Sequence, residues 1–195
     1  AGLAKGLLHH WMLAVGSLFA IAAIWADKWI MWWGPDQVIL SNGLFSAPAY
    51  DGSMFLAYLV MIPALGMFVT AIETTFFEDS RRLFDSIQGQ APLSRIERLA
   101  ENLEKQTYRM IYRVLLTLGL LCVVTILISP TLIPIIGLQY EQIGIFRLGV
   151  LAVFFQFMFV VATSILLFLD RQAAFLLLQL VFFVAQVAFT ILSIY

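Results

Sequence analysis

The sequence predicts an all-α fold, a polytopic bundle of about five transmembrane helices. Of its 195 residues, 62% are hydrophobic and only 12% are charged, and the mean hydropathy is +0.95. Soluble domains carry about a quarter charged residues, so a chain this poor in charge needs lipid to cover it. Five stretches approach the roughly 20 apolar residues that a membrane-crossing helix requires. They are apolar on every face, unlike the alternating strands of a barrel, and this predicts helices.

The five apolar stretches divide the chain into three parts. They lie at about 7–33, 52–77, 110–128, 143–169 and 173–194. We expect residues 1–77 to hold two transmembrane helices and an outer loop, 34–51. Residues 78–109 form a charged cytoplasmic segment, and residues 110–195 hold the last three helices.

Prolines mark two positions within the apolar stretches. Ser129-Pro130 is predicted to end the third helix. Pro63, with Gly66 one helical step further on, is predicted to kink the second helix and is our hinge candidate, because proline removes a backbone hydrogen bond. A passive packing kink at Pro63 is equally compatible with the sequence.

The distribution of basic residues predicts the orientation. Lys and Arg concentrate on the cytoplasmic side of membrane proteins. The loops at 34–51 and 129–142 contain none. The N-terminus with Lys5 is therefore expected inside and Tyr195 outside. Seven of the eleven basic residues lie within 78–113: Arg81, Arg82, Arg95, Arg98, Lys105, Arg109 and Arg113.

The charged segment has the pattern of an amphipathic helix. Ser94-x-x-Glu97 reads as a capping box, and apolar residues then recur at three-to-four spacing up to Met110. Two roles fit this helix: an elbow packed on the inner face, or a docking site for a cytoplasmic partner. The docking candidates are basic: Arg81, Arg82, Arg95 and Arg98.

The sequence carries no enzyme signature. It lacks a phosphate-cradling glycine loop, a G-x-S-x-G elbow and an H-E-x-x-H motif. The single cysteine, Cys122, lies in an apolar run, and the neighbouring His9 and His10 would point about 100° apart on a helix. We therefore expect no catalysis, cofactor or metal site. The net charge of −1 gives no basic excess for nucleic acid.

A few ionisable residues lie at membrane depth, where each costs several kcal/mol unless it is paired or wetted. Asp27 and Lys28 could reach the outer headgroups or face a cavity between helices. Glu73 could pair with Arg81 or Arg82, or with a neighbouring helix. Two more charged residues lie nearer the outer side: Asp51 at the mouth of the outer loop, and Arg147, whose side chain is expected to reach the headgroups.

Four tryptophans cluster at the outer end of the first helix, at positions 25, 29, 32 and 33. Tryptophan favours the membrane–water interface, so an interfacial belt is one reading. Stacking on sugar rings is the other, and it applies chiefly to Trp25 and Trp29.

Several short motifs carry a family resemblance. The sequence resembles the PelG-type membrane proteins of Pel exopolysaccharide export, which resemble the multidrug/oligosaccharidyl-lipid/polysaccharide exporter superfamily of flippases. The resemblance runs from about residue 11 to the end. Its motifs are IWADKWI at 24–30, LSNGLF at 40–45, APAYD at 47–51, IETTFFE at 72–78, GIFR at 144–147 and LDR at 169–171.

The resemblance implies a location, a cargo and partners. Family members have about a dozen helices in two six-helix lobes of a bacterial inner membrane. They export a cationic, partly deacetylated amino-sugar polymer for the biofilm matrix, alongside a cytoplasmic glycosyltransferase and membrane subunits that sense cyclic di-GMP. Five helices would correspond to helices seven to eleven of such a plan, an incomplete second lobe. The family has no catalytic motif to carry over.

Two functions remain open at this point. In the first, the chain is part of a polysaccharide conduit, whose path would need acidic side chains and aromatic platforms for a cationic polymer. The alternative is a non-conducting membrane scaffold that recruits the synthase and its regulator through 92–110 and the pair Arg81-Arg82. The transport-path candidates are Asp27, Lys28, Asp51, Glu73, Trp25 and Trp29.

Overall fold

The computed structural model describes residues 10–194 and confirms the all-α fold class. The predictions for Lys5, His9 and Tyr195, and the expected start of the first helix near residue 7, lie outside these residues. The elements, in chain order, are α1 (Trp11–Trp32), β1 (Val38–Ile39), β2 (Phe45–Ser46), α2 (Pro48–Ala71), a π-helical segment (Ile72–Phe76), α3 (Phe77–Gln88), α4 (Leu93–Ile135), α5 (Gln142–Phe168) and α6 (Gln172–Ile194).

The exposed surface of the helices is apolar. Within residues 10–194, five helical runs are long and apolar enough to cross a membrane, and only 17–28% of the residues in their apolar windows are buried in the protein. Large side chains such as Leu18, Leu127 and Phe189 are about two-thirds or more exposed. Water would not tolerate so large an apolar surface, whereas lipid covers it. The chain is therefore a multi-pass membrane protein.

The last two membrane helices agree with the predicted bounds to within one residue, but the third does not. Pro130 does not end it, because α4 continues through Pro130 and Pro134 to Ile135. Proline at 130 cannot donate to the carbonyl of Ile126, four residues earlier. The Ser129 hydroxyl donates to that carbonyl instead, at 2.7 Å. The prediction of a helix end here was wrong because a neighbouring side chain replaces the missing backbone bond.

The second membrane helix also departs from its prediction. It begins at Pro48, four residues earlier than expected, and its helical assignment continues through Pro63. The irregularity lies further on, in the π-helical segment Ile72–Phe76. A π turn inserts one extra residue into the α pattern and occurs often at functional sites.

The predicted outer loop contains a short antiparallel hairpin. Val38 pairs with Ser46, and Ile39 pairs with Phe45. The turn closes through a bond from the Gly43 N–H to the Leu40 carbonyl at 2.8 Å, and Gly43 has φ +80°. Glycine adopts this left-handed conformation without steric cost, which is why the three-residue turn can form at this position.

The capping box predicted at Ser94 is wrong. The amphipathic helix starts at Leu93, before Ser94, with Pro92 at the N-cap position and no side chain capping it. The Pro92 carbonyl accepts the first helical bonds, from the N–H groups of Arg95 at 2.9 Å and Ile96 at 3.3 Å. Ser94 therefore already lies inside the first turn, where its hydroxyl is not positioned as an N-cap.

The chain divides into two compact units. Among the described residues, one comprises 10–55 together with 158–194, and its principal helix pair is α1 with α6. A Cβ at Gly16 would lie only 2.5 Å from the Phe175 ring, so glycine allows close helix approach. The other unit, Leu56–Phe157, has buried rows on α4 and α5, including Leu118 and Val150.

Candidate functional site

Asp27 is a buried carboxylate near the end of α1. Its side chain is 1% exposed. The Lys28 ammonium lies 3.2 Å from both of its oxygens and also donates to the Ile24 carbonyl at 3.1 Å. The Tyr50 hydroxyl donates to Asp27 Oδ2 at 2.8 Å. An ion pair plus a hydrogen bond compensates a charge that would otherwise be very costly at this depth.

Asp51 lies in the first turn of α2, not in the loop where it was expected. The indole N–H of Trp32 donates to its two oxygens at 3.0 and 3.2 Å. The Ser46 hydroxyl and the Ala47 backbone N–H donate to Oδ2 at 3.3 and 3.2 Å. The bond back to Ala47 satisfies a free N–H at the start of the helix, where a carboxylate also complements the helix dipole.

The two carboxylates belong to one polar cluster because Tyr50 and Asp51 are consecutive residues. This Asp27–Asp51 cluster joins the end of α1 to the hairpin and the start of α2. It contains two carboxylates and one ammonium, so its formal charge is −1. Asp27 is fully buried, whereas Asp51 is half-buried. The cluster consists of Asp27, Lys28, Trp32, Ser46, Tyr50 and Asp51.

The tryptophans proposed as sugar platforms do not share a face with Asp27. Trp25 and Trp29 are four residues apart and lie on one side of α1, at 44% and 51% exposure. At 100° per residue, Asp27 projects about 160° away from both. The structure therefore separates these rings from the carboxylate. Their exposure on an apolar helix fits the interfacial-belt reading.

Glu73 is not part of the Asp27–Asp51 cluster. It lies in the π-helical segment, is exposed, and has no ion-pair partner within residues 10–194. Of the partners that the sequence left open for Glu73, which were Arg81, Arg82 and a neighbouring helix, Arg82 instead contacts Glu78 and Asp79 at 3.5 and 3.6 Å. Those carboxylates are four and three residues away on the same helix, whereas Glu73 is nine residues away.

The remaining sequence candidates are on the surface. Pro63 and Gly66 are both exposed in α2. A side chain added at Gly66 would meet nothing within 4 Å in the described part of the chain. All four basic docking candidates are exposed, and Arg82 and Arg95 line a cavity of about 380 Å³ with Asp85.

Arg147 does not depend on lipid headgroups for a partner. Its Nε donates to the Ser129 hydroxyl at 2.8 Å, and Ser129 is fully buried. The same hydroxyl supports the helix at Pro130, so one serine serves both roles.

The sequence interpretation missed the residues that hold the carboxylates in place. Tyr50, Trp32 and Ser46 were not selected, although Tyr50 stands beside Asp51 in the motif APAYD. The pairing of the Tyr50 hydroxyl with the neighbouring Asp51 carboxylate, near the start of the predicted second helix, was the sequence feature that could have indicated the cluster. Within residues 10–194 no group of three or more His, Cys, Asp or Glu side chains could hold a metal ion.

Comparison with known protein families identifies the family of the chain. Residues 2–195 match the model of the PelG family, described as "Putative exopolysaccharide Exporter (EPS-E)". The chain belongs to the PelG family. No curated protein and no solved structure matches it. Membership of PelG supports exopolysaccharide export as the general activity and favours transport over catalysis, in keeping with the five membrane helices.

Proposed function

We propose that this PelG-family protein helps to export a cationic, partly deacetylated amino-sugar polymer across the bacterial inner membrane for the biofilm matrix. The family supports the export of an exopolysaccharide. The observation that supports a cationic cargo is the Asp27–Asp51 cluster, which keeps a net negative charge although its hydrogen bonds are satisfied.

Asp51 is the member of the cluster best suited to meet the polymer. It is half-buried, whereas Asp27 is fully buried. Three of the four contacts to its carboxylate fall on Oδ2, so Oδ1 accepts only one bond, from the Trp32 N–H that it shares with Oδ2. Asp27 is enclosed by Lys28 and Tyr50 and is not available to the polymer. Its bond from the Tyr50 hydroxyl helps to position the first turn of α2. Trp32 holds the Asp51 carboxylate in a fixed orientation.

Glu73 supplies a second acidic position, beyond the last residue of α2. It is exposed and without an ion-pair partner within residues 10–194, so its charge is available to a passing amine. Separate, weak attractions suit a polymer that must both enter and leave a path. Strong binding at one site would stall the polymer instead.

The experiment replaces the two accessible carboxylates with neutral isosteres. We expect Asp51→Asn with Glu73→Gln to reduce secreted polymer at least several-fold at wild-type membrane abundance. The matched control is Glu97→Gln with Glu104→Gln, which removes two exposed carboxylates from α4. Secretion is measured by lectin binding to the extracellular polymer, and abundance by immunoblot of membranes. Normal secretion by the first double variant would refute the acidic-path assignment.

The proposed orientation places α3 and the start of α4 in the cytoplasm. The positive-inside rule supports this, because seven basic residues lie within 78–113 and none in the hairpin loop. A cysteine placed in the hairpin at Ser41 should react with an impermeant maleimide in intact spheroplasts. One placed at Ser86 should react only after lysis. The reverse pattern would overturn the orientation.

The scaffold alternative has one observation in its favour. The short helix α3 exposes Phe84 and Ile87 at 52% and 48%, and its residues Arg82 and Asp85 line the cavity that also includes Arg95. This surface suits a cytoplasmic glycosyltransferase or the cyclic di-GMP-sensing membrane subunits. If the protein is only a scaffold, charge reversal at Arg82 and Arg95 abolishes co-purification of these partners, while Asp51→Asn with Glu73→Gln leaves secretion unchanged.

A further inference from the structure

A second cavity, distinct from the one lined by Arg82 and Arg95, lies between the end of α2 and the first half of α4. Its volume is about 460 Å³, and all of its lining residues belong to the unit Leu56–Phe157. One part of the lining is basic and polar, and the other part is apolar. This division suggests a ligand with a charged head and a hydrocarbon tail.

The basic lining comes from one face of α4. Lys105, Arg109 and Arg113 follow each other at intervals of four residues, which corresponds to about 6 Å of rise per step. Lys105 makes one long contact with Glu101, at 3.4 Å, between two side chains that are about two-thirds exposed. Arg109 and Arg113 have no acidic partner within residues 10–194. Two guanidinium groups therefore face the cavity region without a compensating charge.

The position of these arginines along α4 matches the headgroup zone of a bilayer. From residue 114 to 128 the helix carries no charged side chain. Tyr108 and Tyr112, each 67% exposed, alternate with the two arginines. Exposed tyrosine and arginine side chains at the end of an apolar run are typical of the membrane–water interface. A phosphate bound by these arginines would therefore lie at the depth of the lipid headgroups.

The apolar lining of the cavity comes from both helices. Met67 and Ala71 belong to α2, and Met110 and Val114 of α4 follow directly after the two arginines in sequence. A soluble anion would leave these side chains against water, whereas an acyl chain would cover them.

The π-helical segment adds a polar group to the cavity. Thr75 belongs to this segment and lines the cavity. The Thr74 hydroxyl bonds back to the Thr70 carbonyl at 2.8 Å, but the Thr75 hydroxyl makes no such bond within residues 10–194. It is therefore free to donate to a ligand oxygen. A π turn at a binding site is a recurrent arrangement.

We propose that this cavity binds an anionic phospholipid of the surrounding bilayer. Arg109 and Arg113 would hold the headgroup phosphate, since the guanidinium fork matches a phosphate with paired, charge-assisted hydrogen bonds. Thr75 would donate a further hydrogen bond, and an acyl chain would lie along Met67 and Val114. Basic pockets between membrane helices recognise anionic headgroups by this chemistry.

The test measures lipid retained by the purified full-length protein. The protein is reconstituted in nanodiscs containing equal phosphatidylglycerol and phosphatidylcholine, extracted in mild detergent, and examined by native mass spectrometry. We expect one phosphatidylglycerol on the wild type. We expect Arg109→Gln with Arg113→Gln to weaken its binding about 30-fold, because one basic side chain near an anionic surface contributes roughly fivefold.

Two further variants separate the site from general surface charge. Arg81→Gln with Arg98→Gln removes the same charge from exposed positions outside this cavity and should retain the lipid. Arg109→Lys with Arg113→Lys keeps the charge but loses the fork, so its affinity should fall between those of the wild type and the glutamine variant. The lysine variant also keeps the test decisive if the glutamine variant does not fold.

Four outcomes would overturn the proposal. The first is equal lipid retention by the wild type and the Arg109/Arg113 glutamine variant. The second is equal loss in the Arg81/Arg98 control, which would indicate nonspecific attraction. The third is displacement of the lipid by millimolar glycerol phosphate, which would identify a soluble phosphate as the ligand. Retention of phosphatidylcholine in place of phosphatidylglycerol would contradict the charge argument in the same way.

Discussion

Neutralising Asp27 alone should destabilise the protein more than neutralising it together with Lys28. The Asp27 side chain is 1% exposed, and its carboxylate lies 3.2 Å from the ammonium of Lys28, whose side chain is 17% exposed. Asparagine keeps the shape of the side chain and still accepts a bond from Tyr50. The principal loss in Asp27→Asn is therefore the counter-charge of Lys28.

The size of the effect follows from the partial burial of the pair. Removing one partner from a fully buried pair costs about 3–5 kcal/mol. The flexible Lys28 side chain lets its ammonium move towards solvent, so the penalty is smaller here. We expect Asp27→Asn to lower the free energy of unfolding by about 2 kcal/mol. Lys28→Gln leaves a buried carboxylate and should cost about as much. The double variant leaves no charge and should cost about 1 kcal/mol, which gives a coupling energy of about 3 kcal/mol.

The assay is equilibrium unfolding in mixed micelles of a mild detergent and sodium dodecyl sulfate, followed by tryptophan fluorescence. The exposed Glu104→Gln is the control and should lie within about 0.5 kcal/mol of the wild type. Single variants whose costs simply add in the double variant would refute the ion-pair reasoning. A cost below about 0.5 kcal/mol for Asp27→Asn would refute the burial argument.

Two further predictions concern helix packing and use the same unfolding assay. Gly16→Leu should lower the free energy of unfolding by about 1–3 kcal/mol, because even a Cβ would lie 2.5 Å from the Phe175 ring. Adding Phe175→Leu should restore part of that stability. No recovery in the double variant would contradict a direct clash between the two side chains. Ser129→Ala should cost about 2–3 kcal/mol, because it removes the bonds to Arg147 and to the Ile126 carbonyl together. Ser129→Thr keeps the hydroxyl and should cost less than the alanine variant; equal costs would show that the bonds contribute little.

The sequence alone determined the fold class and the existence of the membrane helices. Hydrocarbon thickness sets a minimum helix length, and lipid forces the backbone to bond internally, so composition and run length suffice. This is why α5 and α6 were predicted to within one residue at each end. The charged positions at membrane depth were also evident, since Asp27 and Arg147 interrupt otherwise apolar runs, but the sequence left open whether Asp27 is buried and favoured the headgroups for Arg147.

Local sequence did not predict where helices end or become irregular. At these places a side chain replaces a backbone hydrogen bond, or one extra residue is inserted into a helical turn. Pro130 reads as a helix end, but the hydroxyl of Ser129 keeps α4 intact. The π-helical segment Ile72–Phe76 has no proline or glycine to indicate it, and the kink was expected at Pro63 instead. Ser94 has the residue type of a cap, but the chain becomes helical before it.

The partners of these charged side chains were decided only by the tertiary structure. Asp27 meets Tyr50, Asp51 meets Trp32, and Arg147 meets Ser129 because of how each helix is rotated about its axis. In a soluble protein an apolar stripe reveals that rotation. These membrane helices are apolar on every side, because an apolar side chain is equally stable against lipid and against a neighbouring helix. The sequence therefore shows which charges lie at membrane depth, and packing in three dimensions determines whether each is buried and what it contacts.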